Sequence, residues 1–94
     1  MKNIKILKIR NDLDKLDDKF LKLVKKRTNL VREILRNKKF KKDIIDRKRN
    51  AKILKNITTK SKKMKIDPKI SNIIWKSMIR AYIDFEYRNF KKRK

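Results

Sequence analysis

Arg27 stands where its own stretch, "FLKLVKKRTNLVREIL" from Phe20 to Leu35, asks for a hydrophobe. Ile6, Ile9, Leu13, Leu16, Phe20, Leu23, Arg27, Leu30 and Ile34 follow one another at steps of three and four, the spacing of a heptad seam along one helix. Arg27 interrupts that seam with a charge that cannot be shed. Lys38 follows eleven residues later, nearly three whole turns, so on a continuous helix the two share a face with Val31 and Ile34. Their Cα atoms would then be about 16 Å apart, close enough for two long side chains to meet on a small anion. Arg49 lies four residues from both Ile45 and Ile53, on a face expected to turn inward, and Asp46 and Asn50 flank it. Taken singly, each cation has a plainer explanation, a structural ion pair for Arg27 or a solvated surface for Lys38 and Arg49. Together they would repel one another in an empty core. An anion with two carboxylates resolves this, because charge-assisted arginine pairs are strongest where water is excluded.

The composition narrows the chemistry these residues could perform. The 94-residue chain has no cysteine and no histidine, which excludes disulfides, thiolate or imidazole metal centres, and nucleophile systems built on histidine. It has no glycine either, so the loops that cradle nucleotide phosphates are missing. No metal or cofactor is therefore expected. A net charge of +23 suits a nucleic-acid binder. Lysine-coated helices are more often simply solvated, and the abundance of Lys, Ile and Asn beside scarce Gly, Ala and Pro fits a compositional drift, so nucleic acid is the less favoured partner. Lysines run through the opening "MKNIKILKIR", which makes neither a signal peptide nor a membrane span; a cytoplasmic protein is expected.

The elements that must position these side chains are all helices. The first is expected over about 3–38, some 50 Å long. After the charged connection "NKKFKKD", Asp43 is a candidate N-cap for a second helix over about 43–62 that fades in "TTKSKKMK". "IDPKI" opens the third, about 67–91, with Asp67 as N-cap, Pro68 at the first helical position and Ile66 as a staple. The apolar positions of that helix cover most of its circumference, which predicts burial on more than one side. The terminal "KKRK" reads as a frayed tail. The second and third helices, about 30 and 36 Å long, are each too short to cover the seam of the first. The single domain, residues 1–94, is thus expected to be a three-helix protomer whose long first helix pairs with that of a second copy. A monomeric three-helix bundle is the alternative.

These residues resemble the all-helical, AroQ-type chorismate mutases. The likeness runs from about Ile9 to Tyr87 and is carried by "IRNDLDKLDDKFLKLVKKR", by Lys38, by "IIDRKRNAKIL" and by "DPKISNIIWKSMIRAYIDFEY". The resemblance implies an intertwined homodimeric helical bundle with two active sites. It also implies that chorismate, a dianion, is rearranged to prephenate in phenylalanine and tyrosine synthesis. Arg10 would reach from one protomer into its partner's site. Arg27, Lys38 and Arg49 would line that site, the arginines holding carboxylates and Lys38 standing near the ether oxygen, with Asp46 near the substrate hydroxyl. Tyr82 takes a position often held by a small polar residue. Asn50 stands where many members have a glutamate for the hydroxyl. Glu86 replaces a glutamine that donates to the ether oxygen, and it can donate only when protonated. Catalysis would rest on Lys38, Glu86 and Arg27. Two rivals stand beside this reading: a non-enzymatic helical nucleic-acid binder, and a same-fold isochorismate-pyruvate lyase.

Overall fold

A computed structural model describes residues 3–91. Among them the regular structure is three α-helices and one 3-10 turn: α1 (Ile4–Arg36), the turn (Lys41–Asp43), α2 (Arg47–Lys63) and α3 (Pro68–Asn89). Most of the expected tail lies outside the described residues. By their internal contacts the residues form two units, 1–30 and 31–94.

The first unit is helical from Ile4 onward. Asn3 caps it, its Oδ1 accepting from the backbone N–H groups of Lys5 (3.1 Å) and Ile6 (3.3 Å), which satisfies donors that a helix start leaves over. The seam side chains of this unit remain open to solvent: Ile9 is 59% exposed, Leu16 55% and Leu23 61%. Arg27 is only half-buried, and its Nε is out of reach of solvent.

In the second unit α1 ends two residues earlier than the seam predicts. The N–H groups of Asn37 and Lys38 bond three residues back, to Ile34 O (3.0 Å) and Leu35 O (3.1 Å), and this tightened last turn closes the helix. Lys38 thus stands beyond α1, not within its last turn.

The start of α2 corrects the expected cap at Asp43. Asp43 belongs to the 3-10 turn. Asp46, extended at φ −108°, caps α2 through its side chain, which accepts from Arg49 N–H at 3.0 Å. Two aspartates compete for the role, and Asp46 wins because it sits three residues before an N–H that has no partner within the helix. Ile44, which the periodicity assigned to α2, lies in the connection and is buried, as is Leu35; these are the buried hydrophobes among the described residues.

Helices α2 and α3 form an antiparallel hairpin. Ser61 and Ser71 meet in its buried crossing with their Oγ atoms 2.6 Å apart. Ser61 Oγ also donates to Ile57 O at 2.6 Å, while the alternative acceptor for Ser71 Oγ, Pro68 O, lies at 3.4 Å, so Ser71 is the better placed donor within the pair. Thr58 and Asn72 touch one turn away, 3.1 Å apart. The reversal between the helices places Lys65 in the left-handed region at φ 58°, with Ile66 N–H bonded to Ser61 O (2.8 Å) and Lys65 N–H to Lys62 O (3.2 Å). This is a Schellman motif in which lysine occupies the position that favours glycine. Asp67 then caps α3, accepting from Lys69 N–H at 2.9 Å, and Pro68 opens the helix. Burial of α3 on more than one side is not met within the single chain. Its main packing partner is α2, and Ile70 and Ile73 stay more than half exposed.

Candidate functional site

Lys38 and Glu86 form the centre of the candidate site in the second unit. The Lys38 Nζ donates to Glu86 Oε2 at 3.3 Å and lies 3.5 Å from Oε1. It also donates to the Ile44 carbonyl at 3.2 Å. Each neighbour has a local cause. The tightened turn after α1 releases Lys38 from the helix, and the 3-10 turn brings the Ile44 carbonyl back to it. The 22-residue α3 carries Glu86 near its far end. Glu86 is buried and Lys38 half-buried, and buried Leu35 and Ile44 flank Lys38 in the chain. Excluding water there strengthens a charge interaction that an open surface would screen.

Aromatic and cationic side chains brace the same end of α3. The Arg32 guanidinium lies over the Phe85 ring, 5.4 Å from its centroid, and Tyr82 meets Phe85 edge to face with centroids 6.3 Å apart. Such contacts contribute roughly 0.5–1.5 kcal/mol each. They hold the turn that carries Tyr82 and Glu86 against the last turns of α1. Neither Arg32 nor the Ile44 carbonyl was singled out by the sequence. A backbone acceptor leaves no mark on residue type, and one more arginine is inconspicuous in a chain so rich in them.

The remaining candidates are placed as follows. Asp46 and Arg49 are exposed at the start of α2 and Asn50 is half-buried one turn further on; the Asp46 carboxylate serves as the helix cap. Tyr82 is half-buried on α3. Arg10 and Arg27 belong to the first unit, Arg10 exposed and Arg27 half-buried. Lys38 and Glu86 are thus two expected site residues in direct side-chain contact. A half-buried ammonium with a fixed approach can stabilise negative charge on a substrate oxygen, and the carboxyl beside it can act as acceptor or, once protonated, as donor.

The family model described as chorismate mutase type II matches residues 9–87. The chain belongs to that all-helical family. Nothing among curated proteins or solved structures matches it.

Proposed function

We propose that this protein is a chorismate mutase that works as a homodimer and converts chorismate to prephenate. The observation that carries the reading is the Lys38–Glu86 pair, a shielded cation beside a buried carboxyl at the two positions that the family resemblance assigns to the ether oxygen. The rearrangement is intramolecular and needs no nucleophile. The protein has to hold a flexible dianion in its compact reactive conformer and to stabilise negative charge growing on the ether oxygen as its bond to carbon breaks. Arg10, Arg27 and Arg49 would supply the first requirement by binding carboxylates, with Asp46 and Asn50 at the hydroxyl and Tyr82 at the wall. Lys38 would supply the second, with Glu86 adding a hydrogen bond when it carries a proton.

Support for the dimer comes from α1. A row of large apolar side chains left half exposed is costly at about 25 cal/mol per Å² of apolar surface, and a second copy of the same seam is a self-complementary cover. Among the described residues no helix is long and apolar enough to cross a membrane, so lipid does not offer α1 a spanning environment.

The direct test follows loss of chorismate absorbance together with prephenate formation, and light scattering gives the mass in solution. Turnover by a particle of twice the chain mass is expected. A folded, inert protein, or one that releases pyruvate from isochorismate instead, would overturn the assignment.

A further inference from the structure

The outward side of α2 carries a charge pattern for which the proposed reaction has no use. Lys48, Lys52, Lys55 and Lys62 follow at steps of four, three and seven, one stripe along the helix. All four are exposed, and the stripe is turned away from the side on which Leu54, Ile57 and Ser61 pack in the hairpin. Among the described residues none of the four is in an ion pair. Helix α2 contains no acidic residue at all, whereas in α1 Asp12, Asp14, Asp17 and Asp18 are interleaved with the lysines. The stripe also leaves out Arg49 and Asn50, the α2 residues assigned to the candidate site.

We propose that this face of α2 binds the phosphate rows of a nucleic-acid duplex without reading its sequence. From Lys48 to Lys62 the stripe extends about 21 Å, a length over which B-form DNA presents roughly a dozen phosphate charges. Three features select this partner. No aromatic side chain lies on the stripe to stack unpaired bases, as single-strand binding requires. No apolar side chain lies on it to enter a bilayer, as a helix resting on a membrane requires. It also has no arginine, asparagine or glutamine, whose planar groups fix a pair of hydrogen bonds to a base edge, whereas lysine is a rotating point charge suited to phosphate; the hydroxyl of Thr59, the stripe's one other polar side chain, is bonded to the Lys55 carbonyl at 3.1 Å. Contacts limited to phosphates accept DNA and RNA duplexes alike.

Fluorescence anisotropy with labelled random-sequence DNA and RNA duplexes tests this across about 50 to 200 mM salt. The intact protein should bind both, with affinity falling steeply as salt rises. Replacing Lys48, Lys52, Lys55 and Lys62 together with Gln should remove most of the affinity and flatten the log–log salt slope by about 3 to 4. The same four positions changed to Arg should bind as the original does. Lys8, Lys15, Lys19 and Lys22 changed to Gln remove the same charge from α1 and should cost much less. Circular dichroism and chorismate turnover report that the variants fold; should the Gln variant lose helix, the Arg variant and the α1 variant still decide. Equal losses from α1 and α2 would make binding a property of total charge and overturn the proposal. So would absence of duplex binding at the lowest salt, or stronger retention on anionic lipid vesicles than on either duplex.

Discussion

The Lys38 ammonium and the Glu86 carboxylate meet at 3.3 Å across 48 positions of the chain. Removing one partner leaves the other shielded and without its counter-charge, which costs more than removing both. Lys38→Met should therefore destabilise by about 2 kcal/mol. It should also lower chorismate turnover by about 10²- to 10³-fold, the usual effect of losing one donor to a developing oxyanion. Adding Glu86→Gln to Lys38→Met should recover part of the stability and only the small share of turnover that one amide donor supplies. A denaturant-based double-mutant cycle measures the coupling, and strictly additive costs would show that the contact carries no energy.

Glu86→Gln alone separates the carboxyl's two possible roles. An ionised carboxylate facing the ether oxygen repels the charge that grows there, while a protonated one donates to it. Glu86 sits against the Lys38 ammonium, where a carboxylate accepts; glutamine donates instead, so Glu86→Gln should turn over chorismate roughly 10-fold faster. Turnover at saturating chorismate, with folding checked by circular dichroism, decides this. Unchanged turnover would leave Lys38 as the group acting on the ether oxygen.

The parts of this molecule that could be read from sequence are those with a local cause. Asp67 and Pro68 announce the start of α3 because a cap and a first-turn proline are properties of adjacent residues. Asp43 looks like the cap of α2 in sequence because Ile44 and Ile45 continue an apolar period, although the burial of Ile44 arises in the connection and Asp46 is the cap. The Ser61–Ser71 contact left no apolar signal, since a hydroxyl can be buried when its partner is polar too; only the i+4 spacing from Ile57 hinted that Ser61 extends the packed face. Lys38 and Glu86 were both expected at the site. Their pairing with each other and with the Ile44 carbonyl depends on how the connection folds back, which periodicity does not encode.

Lys65 offers a test of stability that is independent of any reaction. A side chain with a Cβ in the left-handed region costs roughly 1–2 kcal/mol, and glycine avoids most of this at some expense in unfolded-state entropy. Lys65→Gly should stabilise the fold by about 1 kcal/mol, read as a higher denaturation midpoint at unchanged slope. Lys65→Ala keeps the Cβ while discarding the charge, so it should gain little. Equal gains from both variants would assign the effect to relief of lysine repulsion and not to the backbone.

Arg10 and Arg27 allow the sharing of sites between protomers to be tested directly. Both lie in the first unit, Arg10 exposed near its start and Arg27 half-buried near its end. In the proposed dimer each site takes Arg27 from one chain and Arg10 from the other. Arg10→Ala and Arg27→Ala homodimers should each lose at least 10²-fold in turnover, since either lacks a charge-assisted contact to a substrate carboxylate in both sites. Arg10→Ala should cost little stability, since Arg10 is exposed; circular dichroism checks that both variants keep their helices. When the two variants are co-refolded, half of the mixed population should be heterodimers if pairing is random. Each heterodimer has one site missing both arginines and one site with both intact, so about a quarter of the original activity should return, on the order of one working site in four. Tagged purification isolates the heterodimer, whose activity should then be half that of the original dimer. Verified heterodimers as inert as their parents would place Arg10 and Arg27 in the same chain's site and rule out the exchange.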